Sequence, residues 1–177
     1  MRSSRQSPVR PALRPAVRSA VVAGSVLAAA AVLAAPAQAA PVLHGYANVA
    51  AGKCLDIRGD STADGALLQE FSCKNASNQR FWTDTDTADG YTEIRVQRSG
   101  LCLEPTGAHP GSVVLQRACT GAAGQRWEVL PKGPGGVVLR HPATGQCLND
   151  YASGVGSERT ANMWTCLDNA WQTWTVR

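Results

Sequence analysis

Six cysteines, the polar residues set two places after three of them, and three glutamine–aromatic pairs carry most of the chemistry open to this chain. They fall in a phrase used three times: Gly52-Lys53-Cys54-Leu55-Asp56, Gly100-Leu101-Cys102-Leu103-Glu104 and Gly145-Gln146-Cys147-Leu148-Asn149. Each phrase is answered by a second cysteine (Cys73, Cys119, Cys166) and then by Gln79 with Phe81, Gln125 with Trp127 and Gln172 with Trp174. The opening cysteines are 48 and 45 residues apart and the glutamines 46 and 47. A period of that length marks a repeat architecture whose single unit cannot bury its own apolar face. An even, regularly placed set of cysteines behind a secretory leader is expected to form disulfides. Six cysteines allow fifteen pairings. The periodicity selects Cys54–Cys73, Cys102–Cys119 and Cys147–Cys166. A metal centre has little support, because no two cysteines stand two to four residues apart and His44, His109 and His141 lack ligand spacing. Neither metal nor cofactor is expected.

Catalytic signatures are missing too. The chain holds no Gly-x-Ser-x-Gly elbow, no His-Glu-x-x-His and no phosphate-cradling loop. Paired carboxylates for glycoside hydrolysis need one shared cleft, whereas Asp56, Glu104 and Asn149 mark separate repeats. Two short matches have plainer readings. Arg58-Gly59-Asp60 is the adhesion tripeptide but also common turn chemistry, and Asn75-Ala76-Ser77 fits a glycosylation acceptor.

The elements that must position these residues begin after a leader. Residues 1–39 hold Arg2, Arg5, Arg10, Arg14 and Arg18 without any acid, an apolar run from Ala20 to Ala35, and the small-residue site Ala37-Gln38-Ala39. This pattern is expected to be a secretory signal peptide. Its apolar run falls short of the roughly 20 residues that span a bilayer. The mature chain is expected to start at Ala40, to be secreted, to carry no membrane span and to act as a monomer. Its 12 basic and 13 acidic residues leave a net charge of −1, which removes the electrostatic argument for nucleic acid. The pairs Asp89-Gly90 and Gly135-Gly136, ahead of Tyr91–Val96 and Val137–Arg140, are hairpin signals. With no ten-residue apolar stripe at helical spacing, residues 40–177 are expected to be all-β. They form one domain of three repeats, at about 42–88, 89–134 and 135–177.

Three all-β repeats of about 46 residues, each with a Cys-Leu-Asp-like phrase, paired cysteines and Gln-x-Trp or Gln-x-Phe, resemble the ricin B-chain-type lectin domain. The same domain serves as a carbohydrate-binding module of many secreted glycoside hydrolases. The resemblance implies a β-trefoil, six hairpins forming a barrel and a cap. It makes Phe81, Trp127 and Trp174 core residues, and gives Gln79, Gln125 and Gln172 the task of satisfying turn backbone groups.

The resemblance also implies one sugar pocket per repeat. A neutral sugar needs a carboxylate for two adjacent hydroxyls, an amide, and a ring for its C–H face. In related lectins these are the Asp two residues after the first cysteine, a polar residue and a ring four and two before the second, and an Asn-Gln pair five and six after it. The first repeat matches throughout with Asp56, Gln69, Phe71, Asn78 and Gln79. Phe71 departs from the usual Trp or Tyr. The second repeat has Glu104, Leu115, Arg117 and Gly124 in these places and is expected to be structural. The third is intermediate. Asn149 takes the aspartate place beside Asp150, Asn162 and Trp164 keep the polar and ring places, and Trp171 precedes Gln172, with Asn169 displaced by two.

The expected function is a secreted, non-catalytic carbohydrate-binding protein for galactose- or xylose-type residues of glycans or plant-type polysaccharide. The alternative is a trefoil whose loops bind a protein partner, such as a protease it inhibits, with the sugar sites vestigial.

Overall fold

The computed structural model describes residues 40–84, 89–150 and 159–177. The expected leader, residues 1–39, lies outside the described residues. The described residues form fourteen strands in order: β1 (Val42–His44), β2 (Tyr46–Asn48), β3 (Cys54–Ile57), β4 (Leu68–Phe71), β5 (Phe81–Thr83), β6 (Thr92–Glu93), β7 (Arg95–Val96), β8 (Cys102–Pro105), β9 (Val114–Arg117), β10 (Arg126–Pro131), β11 (Gly136–His141), β12 (Gln146–Asp150), β13 (Arg159–Thr165) and β14 (Trp174–Val176). Short 3-10 turns at Arg58–Asp60, Ser77–Gln79, Ala123–Gln125 and Ala170–Gln172 are the only helical pieces among the described residues. None of them is long and apolar enough to cross a membrane.

All strand pairing is antiparallel, in a five-stranded sheet ordered β1-β5-β7-β8-β9 and a nine-stranded one ordered β12-β13-β4-β3-β2-β14-β11-β10-β6. The repeated phrase opens one hairpin in each of three lobes: β3–β4, β8–β9 and β12–β13. Its glycine has a backbone reason. Gly52, Gly100 and Gly145 have φ of +64°, +72° and +69°, a left-handed conformation nearly free for glycine and costly for other residues. Their N–H groups donate to Asn48 O, Val96 O and His141 O, closing the same turn three times. At the β10–β11 hairpin a different need applies: a Cβ on Gly136 would sit 2.3 Å from the Lys132 carbonyl oxygen.

The core collects one face of every hairpin. Leu55, Ile57, Leu68, Leu103, Val114, Leu148 and Met163 are fully buried, together with Phe81, Trp127 and Trp174 at the centre. Trp127 and Trp174 donate their indole N–H to the carbonyls of Leu103 and Leu148, so the polar edge of each ring is satisfied. The three glutamines act alike. Each accepts from a backbone N–H (Lys74, Thr120, Leu167) and donates to a backbone carbonyl (Ser72, Ala118, Thr165). The expected bridges Cys54–Cys73, Cys102–Cys119 and Cys147–Cys166 are all formed, one per lobe. The all-β trefoil is therefore the fold.

One acid breaks the core's alternation. Leu68 and Glu70 point the same way along β4, so Glu70 is driven inward and is fully buried. It lies opposite Arg159 of β13, near Asp150, which bonds Arg159 Nη1 at 2.8 Å. Neither Glu70 oxygen, nor Asp150 Oδ1, meets an N–H or O–H donor among the described residues. A proton held on Glu70 supplies that donor. Burial pushes the Glu70 carboxyl up to about 9, Asp150 adds to the rise, and Arg159 opposes it. The folded state thus keeps a proton that the unfolded chain releases above its ordinary value of 4.5. The associated stability is complete below that value and lost as pH climbs toward the folded one. Glu70→Gln carries a neutral donor at every pH. Its melting temperature should match the wild type at pH 4.5 and exceed it by more than about 10 °C at pH 8. Parallel pH profiles in thermal melts of the two proteins would contradict this.

Candidate functional site

In an antiparallel hairpin, register decides which side chains share a face. In the first lobe Asp56 pairs with Gln69 and Cys54 with Phe71. Asp56, Gln69 and Phe71 therefore stand together on the face away from the core. Behind them the 3-10 turn at Ser77–Gln79 brings in Asn78 and Gln79. The result is a hollow of about 400 Å³ lined by Asp56, Gln69, Phe71 and Asn78, with Gly59, Asp60, Lys74 and Ala76 at its margin.

The Asp56 carboxylate is held by amides on both sides. Oδ1 accepts from Gln69 Nε2 at 2.9 Å, and Oδ2 accepts from Asn78 Nδ2 at 3.0 Å and Gln79 Nε2 at 2.8 Å. Asn78 Nδ2 also donates to Ile57 O, while Gln69 Oε1 accepts from Arg58 Nε. Asp56 keeps 4% of its surface accessible. Each carboxylate oxygen has two lone-pair directions, so Oδ1, with one donor, retains acceptor capacity for a ligand hydroxyl. Rigid amide support fixes the direction of that capacity. Phe71 is half-buried and supplies the apolar side of the hollow. Gln79 reaches Asp56 from behind and is 2% exposed, a supporting part rather than a lining one.

The second lobe builds the same frame for another purpose. Glu104 accepts from Gln125 Nε2 at 2.8 Å, as Asp56 does from Gln79. Its cross-strand partner is Leu115, which offers no amide. Arg117, in the ring place, turns to Asp64 of the first lobe at 2.7 Å. Asp64 also accepts from Ala118 N, and these contacts hold its carboxyl below the usual range. Arg117 thus ties two lobes together. Beside it, Glu93, Cys102 and Cys119 form the one cluster of metal-type ligands among the described residues, but both sulfurs are consumed in a disulfide.

In the third lobe Asn149 pairs with Asn162 and donates to its Oδ1 at 3.2 Å. No carboxylate meets Gln172 Nε2, which bonds only Thr165 O among the described residues. Asp150 is one place further along the strand, faces the other way and is 2% exposed, bonded to Arg159. It does not join Asn149, Asn162 and Trp164 on one face. Asn169 accepts from Trp171 N and Gln172 N and so caps the turn. Trp164 and Trp171 are 37% and 38% exposed, unlike the central tryptophans. Arg159 lies over the Trp171 ring at 5.8 Å.

Sequence reasoning missed Lys74, whose ammonium stands 4.4 Å from the Phe71 ring centroid. It also missed Asp60 as a margin residue. The tripeptide Arg58-Gly59-Asp60 forms a 3-10 turn at the rim, with φ of +65° at Gly59 and +54° at Asp60.

Comparison with known proteins gives a consistent placement. The family described as the ricin-type beta-trefoil lectin domain matches residues 46–174. Ribosome-inactivating protein PMRIPt of Polygonatum multiflorum is 31% identical over 103 residues, which cover 54% of this chain and 16% of that protein. The chain therefore corresponds to a small part of this curated relative. Among solved structures, the designed threefold-symmetric protein ThreeFoil has a TM-score of 0.71 at 24% identity, covering 76% of this chain and 96% of ThreeFoil. The exo-beta-1,3-galactanase 1,3Gal43A of Clostridium thermocellum also reaches 0.71, at 20% identity, covering 76% of this chain and 29% of the enzyme. The C-half of an earthworm R-type lectin, solved with GalNAc, reaches 0.61 at 18% identity, covering 77% and 98%. These structures share the fold, and the match across most of the repeats shows that this chain belongs to the ricin-type β-trefoil lectin domain family.

Proposed function

We propose that this protein is a secreted, non-catalytic carbohydrate-binding protein that grips galactose- or xylose-type residues in its first lobe. The observation that carries the reading is the amide-braced Asp56 carboxylate sharing one hollow with the Phe71 ring. Asp56 accepts from one or both adjacent hydroxyls, Asn78 and Gln69 line the clamp, and Phe71 meets the C–H face. Membership of a lectin-type family supports the ligand class. The three disulfides fit an oxidising, extracellular setting, as does the leader-like segment expected from Arg2 to Ala39. The third lobe, with exposed Trp164 and no carboxylate on its clamp face among the described residues, adds at most a stacking contact. One such hollow gives millimolar affinity for a single sugar, about −4 kcal/mol. Retention on galactose-bearing or xylan-bearing resin, with elution by the free sugar, tests the reading. Passage of folded protein through both resins without delay would rule it out.

A further inference from the structure

The first-lobe hollow contains a charge that a neutral sugar does not need. Asp56 is matched by three amides, and Asp60 is paired with Arg98 at 2.9 Å. Lys74 has no acidic partner among the described residues, and its ammonium rests over the Phe71 ring. Lys74 also lines a second hollow of about 360 Å³, where it stands with Arg80 and Arg177 and no acidic side chain. Arg80 spends its guanidinium on neutral acceptors, Asn75 Oδ1 and Leu43 O, and pairs with no acidic side chain among the described residues. Its field reaches far enough to help hold His44, already lowered by burial, below its ordinary pKa.

We propose that the first lobe selects saccharides bearing an acid group, a uronate or a sulfate, placed beside the clamped hydroxyls on the Lys74 side. This rests on the first lobe being a sugar site. A neutral sugar that stacks on Phe71 must lift Lys74 from the ring, losing a contact worth about two- to fivefold in affinity, and leaves the ammonium without a partner. An acidic sugar lifts the same lysine and gives it an ion pair. The acid group cannot lie toward Asp60, whose carboxylate repels it despite Arg98. It belongs across Lys74, over the second hollow, where Arg80 adds attraction.

The test titrates wild type and Lys74→Ala with two matched pairs by calorimetry: xylotetraose with and without a glucuronate branch, and lactose with and without a sulfate on galactose. Wild type should bind the acidic member of at least one pair about fivefold more tightly. Only that preference should weaken between 50 and 300 mM salt. Lys74→Ala uncovers the ring, so the two ligands should move in opposite directions. Neutral binding should strengthen about two- to threefold while the acidic preference disappears. Equal wild-type affinity within both pairs, or a Lys74→Ala variant that loses both ligands alike, would overturn the proposal while leaving the neutral site standing. A wild type that binds none of the four would remove the sugar site and this inference together.

Discussion

Asp56→Ala should abolish retention on sugar-bearing resin and also lower stability, by about 2–4 kcal/mol. The two effects share one cause. Asp56 is the acceptor for Gln69, Asn78 and Gln79 at once. Asn78 and Gln79 keep second acceptors in Ile57 O and Ser72 O, whereas Gln69 Nε2 is left without one. Buried donors lacking acceptors cost free energy whether or not a ligand is present. Loss of binding alone could therefore reflect a slackened lobe. Phe71→Ala separates the effects. Phe71 is half-buried on the outer face and belongs to no core cluster. Its loss should cost little stability, under about 1 kcal/mol, yet reduce retention at least tenfold. Unchanged retention in both variants would show that the hollow is not where sugar binds.

Reduction of the three disulfides should lower the melting temperature by tens of degrees. Each bridge spans 17 or 19 residues and closes one hairpin. In the chain-entropy model a loop of this length contributes about 3 kcal/mol. Three such contributions rival the 5–15 kcal/mol of a typical domain. One sulfur of each pair belongs to an exposed residue, Cys73, Cys119 or Cys166, so reductant has access. Thermal melts with and without excess reductant provide the measurement. An unchanged melt after full reduction, verified by thiol count, would mean that barrel packing alone holds the fold.

The fold was legible because its markers are backbone requirements. A glycine at positive φ, a cysteine bridging a hairpin, and a glutamine satisfying a turn recur wherever the geometry recurs, at Gly52, Gly100 and Gly145 as at Gln79, Gln125 and Gln172. The first lobe's clamp was legible for a related reason. Once β3 and β4 are paired, strand alternation leaves Asp56, Gln69 and Phe71 no choice of face. Lys74 was not legible, because it sits in the irregular stretch after Cys73 where no period fixes direction. Asp150 was misleading through proximity: one step along β12 from Asn149 means the opposite side of the sheet. Glu70 left a signal that went unread, an acid on the same parity as Leu68 in a half-buried strand. Trp164 and Trp171 look like core residues by type, yet both reach the surface.

A titration of isotope-labelled protein with free galactose and free xylose, followed by NMR, bears most directly on the clamp. The expected result is that the side-chain amide signals of Gln69 and Asn78 and the ring signals of Phe71 shift together, saturably, while the Gln125 amide stays still. Shifts confined to the Trp164 and Trp171 surroundings, or none at millimolar sugar, would contradict a hydroxyl-accepting Asp56 at the heart of this molecule.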